Sequence, residues 1–74
     1  MAFIRSMVSG LAERLEDEPD DLDGWLRLGR AYIVLGDTEA ALQAYQSAKP
    51  LAAALPDTDA RKHTVTQALD DLAG

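Results

Sequence analysis

The stretch GWLRLGRAYIVLGD, residues 24–37, decides how this chain folds. It places Trp25, Leu28, Gly29 and Tyr32 at i, i+3, i+4 and i+7, on one side of successive turns of one helix. It then stops at Gly36, where a helix end favours a residue that can turn left-handed. Large aromatics at helical spacing are the mark of a packing seam, and Leu26, Arg30, Ile33 and Val34 are left between them.

Working outward, the next residue, Asp37, can cap a following helix whose first turn carries Glu39, so "GD" reads as a tight helix-to-helix turn. That helix begins near Thr38 and carries Ala41, Leu42, Ala44, Tyr45 and Ala48. Pro50 is expected to end it near Lys49 or to kink it there, with "LAAAL" able to prolong it for a turn. Upstream, Ile4, Met7, Val8, Leu11, Ala12 and Leu15 form one helical stripe over residues 3–17, although Gly10 costs that helix about 1 kcal/mol relative to alanine. Pro19 ends it, and Asp20 or Asp21 caps the helix that starts at Leu22. "PDTD" at 56–59 repeats the device, with Asp57, Thr58 or Asp59 as caps for a fourth helix over 58–72. Val65, Ala68, Leu69 and Leu72 make its one narrow apolar stripe.

Bulk properties agree with a single small all-α domain. The chain has 74 residues, 47% hydrophobic, of which only Phe3, Trp25, Tyr32 and Tyr45 are aromatic. A domain of this length buries only about 60% of the surface its unfolded chain exposes, so its core is thin. There is no cysteine and no asparagine, which leaves no disulfide framework, no cysteine-based metal site and no glycosylation acceptor. A net charge of −6, with cations scattered singly apart from the Arg61 and Lys62 pair, opposes binding to phosphate backbones and anionic headgroups. Neither nucleic acid nor a membrane surface is an expected partner. The opening residues do not read as a signal peptide, and Met1–Ala2 is either a natural start or the edge of an excised fragment.

Residues 25–32 fit the pattern W-x-x-L-G-x-x-Y, and Ala41 with Tyr45 supplies its continuation A-x-x-x-aromatic. This resembles the tetratricopeptide repeat, a unit of about 34 residues made of a helix, a turn and an antiparallel helix. With Leu22 as the first residue, the repeat runs over 22–53, Gly36 falls at its turn and Ala48 at the late small position of its second helix. The usual terminal proline is displaced, since Ala53 stands in its place between Pro50 and Pro56. One unit upstream Pro19 occupies that place, so the first helix reads as the second half of a preceding, truncated repeat. One unit downstream the motif positions become Asp59, Lys62, His63 and Thr66, which cannot pack alike, so the fourth helix reads as a cap with a polar outer face. The expected fold is a four-helix, tetratricopeptide-like antiparallel array. Its packing residues are Trp25, Leu28, Gly29, Tyr32, Gly36, Ala41, Tyr45 and Ala48, with Gly29 and Ala41 allowing close approach of two helices.

The inner, concave face implied by that repeat carries Asp23, Leu26, Arg30, Ile33 and Val34. Either a flanking helix covers these residues, or they form an open groove for an extended or helical peptide, with Arg30 available to a carboxylate. The Lys and Asn of the peptide-carboxylate clamp are replaced here by Leu26 and Arg30, so that clamp is not expected. The acidic run EDEPDDLD, residues 16–23, holds six carboxylates and favours the start of the second helix. As a calcium loop it fails, because Pro19 and Arg30 stand where acids are needed. His63, the single histidine, reads as a surface residue, and Ser6, Ser9 and Ser47 lie in no nucleophile motif. No catalytic function and no cofactor is expected.

The longer phrase P-D-D-L-x-G-W-L-x-L-G-R-A-Y-x-V-L-G, within residues 7–37, resembles the tetratricopeptide region of cytochrome c maturation factors of the CcmI/CycH family. The resemblance covers less than half the chain. It implies a non-catalytic module that holds apocytochrome c, chiefly through its C-terminal helical segment, on the periplasmic side of a membrane-anchored parent; without that parent the expected compartment is cytoplasmic. Complete members carry several repeats and a membrane segment, which implies an excised piece or a short relative. The alternative is a structural unit that self-associates into a homo-oligomer, since a stable stack normally needs at least three repeats.

Overall fold

The computed structural model describes residues 2–73, with side chains from Ser6 onward, and every regular element in it is a helix. These are α1 (Ala2–Asp17), α2 (Leu22–Leu35), α3 (Thr38–Ala53) and α4 (Ala60–Ala73). The all-α, four-helix expectation holds. Ile4, part of the expected stripe on α1, lies outside the described side chains, as do Met1 and Phe3.

Short polar side chains begin the last three helices. Asp21 accepts from the backbone N–H of Gly24 and Asp37 from that of Ala40, each satisfying a donor that helix geometry leaves without a partner. Asp59 plays the same part before α4 by accepting from the N–H of Arg61 at 3.0 Å. The fourth helix therefore starts at Ala60, two residues later than the expected 58, because the turn before it is closed by Asp59 N–H donating to the carbonyl of Pro56. Gly36 ends α2 at φ 79°, with its own N–H on the carbonyl of Ile33 and the N–H of Asp37 on that of Tyr32. This left-handed stop reverses the chain within two residues, so α3 returns antiparallel to α2.

Of the outcomes expected at Pro50, α3 does not end near Lys49 but runs on through the proline to Ala53, the extra turn that "LAAAL" allows. Beyond Pro50, Ala52 is 3% exposed and packs with Leu22, Ala48 and Val65, so burial between α2 and α4 holds the last turn despite the lost N–H.

Packing follows from where side chains are missing. A Cβ on Gly29 would lie 2.6 Å from the ring of Tyr45, and one on Gly24 would lie 2.7 Å from Leu15 Cδ2. Gly29 thus admits the Tyr45 ring of α3, more than a crossing with Ala41, which is itself fully buried. Gly24 admits the fully buried Leu15 of α1 against the first turn of α2. Two apolar clusters result. One joins Val8, Leu15, Leu28 and Ala44 from α1, α2 and α3; the other joins Leu22, Ala48, Ala52 and Val65 from α2, α3 and α4. Trp25 packs against both, and its indole N–H donates to the carbonyl of Pro19 at 2.8 Å. The whole is a slab of 37 × 29 × 15 Å, too thin for any helix to be covered on all sides. Among the described residues no helix is long and apolar enough to cross a membrane.

Candidate functional site

Helix α2 is the central element, and its two sides have different uses. Leu28 and Gly29 face inward, while Leu26, Arg30 and Ile33, at spacings of four and three, form a stripe on the outer side. That stripe is one wall of a groove whose other wall is α4, through His63, Gln67, Ala68 and Leu72. Tyr45 from α3 forms the floor between them. The same ring that packs on Gly29 therefore reaches the groove, and burial pushes its phenol above the ordinary value of 10.0, opposed in part by the charge of Arg30.

The α4 wall is fixed at its start by charge. Arg61 donates through Nε and Nη2 to the carboxylate of Asp59 at 3.2 and 3.0 Å and reaches across with Nη1 to Asp23 at 3.3 Å. Lys62 donates to Asp57 at 2.7 Å and to the carbonyl of Leu55 at 3.4 Å, and His63 Nε2 lies 3.0 Å from the carbonyl of Asp57. The hydrogen bond from Arg61 holds the Asp59 carboxyl below its ordinary value, and that from Lys62 does the same for Asp57. The Arg61 guanidinium is in turn held more firmly protonated by Asp59 and Asp23.

The five residues expected on the concave face are thus divided among three places. Leu26, Arg30 and Ile33 line the groove between α2 and α4. Val34 points to the other side of α2, into a second groove shared with α1. Asp23 lines neither, because its carboxylate is taken by Arg61. Leu26 is partly covered by the cluster around Val65, whereas Ile33 remains 47% exposed and Val34 69% exposed, so the flanking helices form walls without filling the space. Tyr45, Arg27 and the whole α4 wall, His63 included, were not among the residues expected on the concave face. Tyr45 occupies a motif position assigned to packing, and only its proximity to Gly29 brings its far edge to the groove. His63 lies beside the apolar stripe of α4, whose Ala68 and Leu72 line the groove with it. Arg27 and Arg30 border both grooves and form the ridge between them.

Such a surface offers apolar side chains, two guanidiniums, the Asp71 carboxylate and a phenol edge. Those groups can bury apolar surface and form charge-assisted hydrogen bonds.

Among known proteins, the chain is similar to the cytochrome c-type biogenesis protein CycH of Bradyrhizobium diazoefficiens, with 50% identity over 48 residues, 65% of this chain and 13% of the relative. It is similar also to the protein of the same name from Rhizobium meliloti, 49% identical over 43 residues, 58% of this chain and 11% of that one. A more distant similarity, 31% over 52 residues, is to the bifunctional subunit NrfFG of the formate-dependent nitrite reductase complex of Haemophilus influenzae, covering 70% of this chain and 14% of the subunit. The matches thus span only 11% to 14% of the length of these relatives. No family model matches the chain, and no solved structure matches it.

Proposed function

We propose that this chain is a non-catalytic tetratricopeptide-type module of a cytochrome c maturation factor, and that it holds a segment of apocytochrome c in the groove between α2 and α4. The observation that carries this reading is Ile33. It is a large aliphatic side chain left 47% exposed in a groove, beside Arg30 and above Tyr45, on the helix whose opposite face closes the core. Leaving that much apolar surface in water is unfavourable by about 25 cal/mol per Å2, and a bound peptide removes it. The names of the two relatives at half identity support the maturation setting, and the apolar stripe flanked by Arg30 supports a helical segment ending in a carboxylate.

Nuclear magnetic resonance titration of the isotopically labelled chain with a peptide of the apocytochrome c C-terminal helix tests it. Amide shifts at Leu26, Arg30, Ile33 and His63 are expected, and Ile33→Asp should abolish them while leaving the helical spectrum intact. An absence of shifts along α2 at high micromolar peptide would overturn the reading.

A further inference from the structure

The second groove, between α1 and α2, carries a signal that the first does not. This chain has 13 acidic and 7 basic side chains, yet the residues lining that groove include Arg14, Arg27 and Arg30 and not one carboxylate. Two other cations, Arg61 and Lys62, are engaged by Asp59, Asp23 and Asp57, whereas among the described residues Arg27 and Arg30 have no carboxylate partner. Arg14 meets Glu18 only at 3.8 Å, with both side chains largely exposed. Between the arginines the surface is apolar: Met7 is 73% exposed and Val34 69% exposed, and they stand on opposite walls. An acidic protein that gathers positive charge around exposed aliphatic groups presents complementarity to a partner of opposite sign.

Gly10 supplies an independent observation about the shape of that partner. Gly24 and Gly29 are required inside the fold, since a Cβ on either would meet a neighbour closer than 3 Å; a Cβ on Gly10 would meet nothing within 4 Å. Among the described residues nothing therefore accounts for a glycine in the middle of α1, where it disfavours the helix. It lies in the lining of this groove, and its missing side chain leaves backbone open to close approach from outside. Small residues of that kind let one helix lie directly on another, whereas an extended peptide would contact side-chain tips.

We propose that the groove between α1 and α2 is a docking site for an acidic amphipathic helix of a second protein, whose apolar stripe covers Met7 and Val34, whose backbone passes over Gly10, and whose flanking carboxylates pair with Arg14, Arg27 and Arg30. The two grooves share Arg27 and Arg30 on the ridge between them, and this one is told apart by the residues it has alone, Met7, Gly10, Arg14 and Val34.

The probe is a synthetic helix of about 15 residues, roughly 22 Å long, with leucines at helical spacing flanked by glutamates, compared with the same peptide carrying lysines. The glutamate peptide is expected to shift the amides of Met7, Gly10, Ala31 and Val34, and to weaken on the order of tenfold between low and high salt. Arg14→Glu, a groove residue outside the first site, should weaken it about fivefold to tenfold. Gly10→Leu should block it while keeping or raising the melting temperature, because the new side chain has open space. Equal binding of the lysine peptide, shifts confined to the other groove, or full affinity in Gly10→Leu would overturn the proposal. Groove shifts that grow with protein concentration in the absence of peptide would also overturn it, by assigning the surface to a second copy of this chain.

Discussion

At the scale of single residues, the glycines show how one residue type serves opposite ends. Gly29 is occupied from outside by the Tyr45 ring, at a distance no Cβ tolerates, so an added methyl forces that buried ring to shift. Gly29→Ala is therefore expected to cost about 2 kcal/mol by overpacking, a fall of roughly 10 °C in Tm for a domain of this size. The reverse applies to Gly10, where the added methyl meets nothing and helix propensity favours alanine by about 1 kcal/mol. Gly10→Ala should raise Tm by about 5 °C. Thermal melts of the two variants by circular dichroism check both. A common sign for the two shifts would remove close packing as the distinction between these glycines. The need for a small residue at Gly29 was legible in the motif around Trp25, but its partner was not, because which aromatic fills the gap depends on the register between α2 and α3. The role of Gly24 was not legible at all, since Leu15 meets it only once α1 has docked.

At the scale of elements, helix ends were the most legible features, because caps act within a few residues of chain. Asp21, Gly36 and Asp37 act where the sequence pointed. Pro50 left the end of α3 open between Lys49 and one turn further, because its local penalty is opposed by burial of Ala48 and Ala52, which depends on α4 and is invisible to any local rule. Pro50→Ala restores the missing N–H without disturbing those contacts and is expected to stabilise α3 by about 1–3 kcal/mol, read as a rise in the denaturant midpoint. A fall in that midpoint would show that proline's restriction of the unfolded chain outweighs the helix penalty. The start of α4 has a different sensitivity. Asp59 and Asp57 are held below their ordinary value of 3.8 by Arg61 and Lys62, so the folded state favours their ionised forms. Their contribution is present above that value and is lost as pH falls through the lower folded values. Acid should accordingly release α4 first. In Asp59→Asn the drop in stability between neutral pH and pH about 3 is expected to shrink, as measured by melts across that range. An unchanged acid profile would exclude the Arg61 contacts as the acid-sensitive point.

At the scale of the whole molecule, the groove depends on an arrangement that no single helix contains. Leu26, Arg30 and Ile33 were legible as the residues left over from the packing motif, but their separation from Val34 and Asp23 was not. That division arises because α1 and α4 approach α2 from different sides, and because Arg61 comes from a distant part of the chain to take Asp23. The walls must then be held together by something common to both. Trp25 is the residue that packs on both clusters, the one that secures α1 and the one that secures α4, and its indole N–H ties α2 to the carbonyl of Pro19. A chain of 74 residues has a total stability of only about 4–11 kcal/mol. Trp25→Ala removes about 3–5 kcal/mol of burial at the junction, enough to take most of that away. It should leave α2 and α3 without docked neighbours and the far-UV signal without a sharp melt. Trp25→Phe keeps one aromatic ring at the junction and loses the hydrogen bond with part of the buried area, about 1–2 kcal/mol in all, so it should melt as one cooperative transition several degrees lower. If Trp25→Ala instead melts sharply near the parent temperature, the two clusters are stable without their bridge, and the two grooves must be held open by α1 and α4 independently.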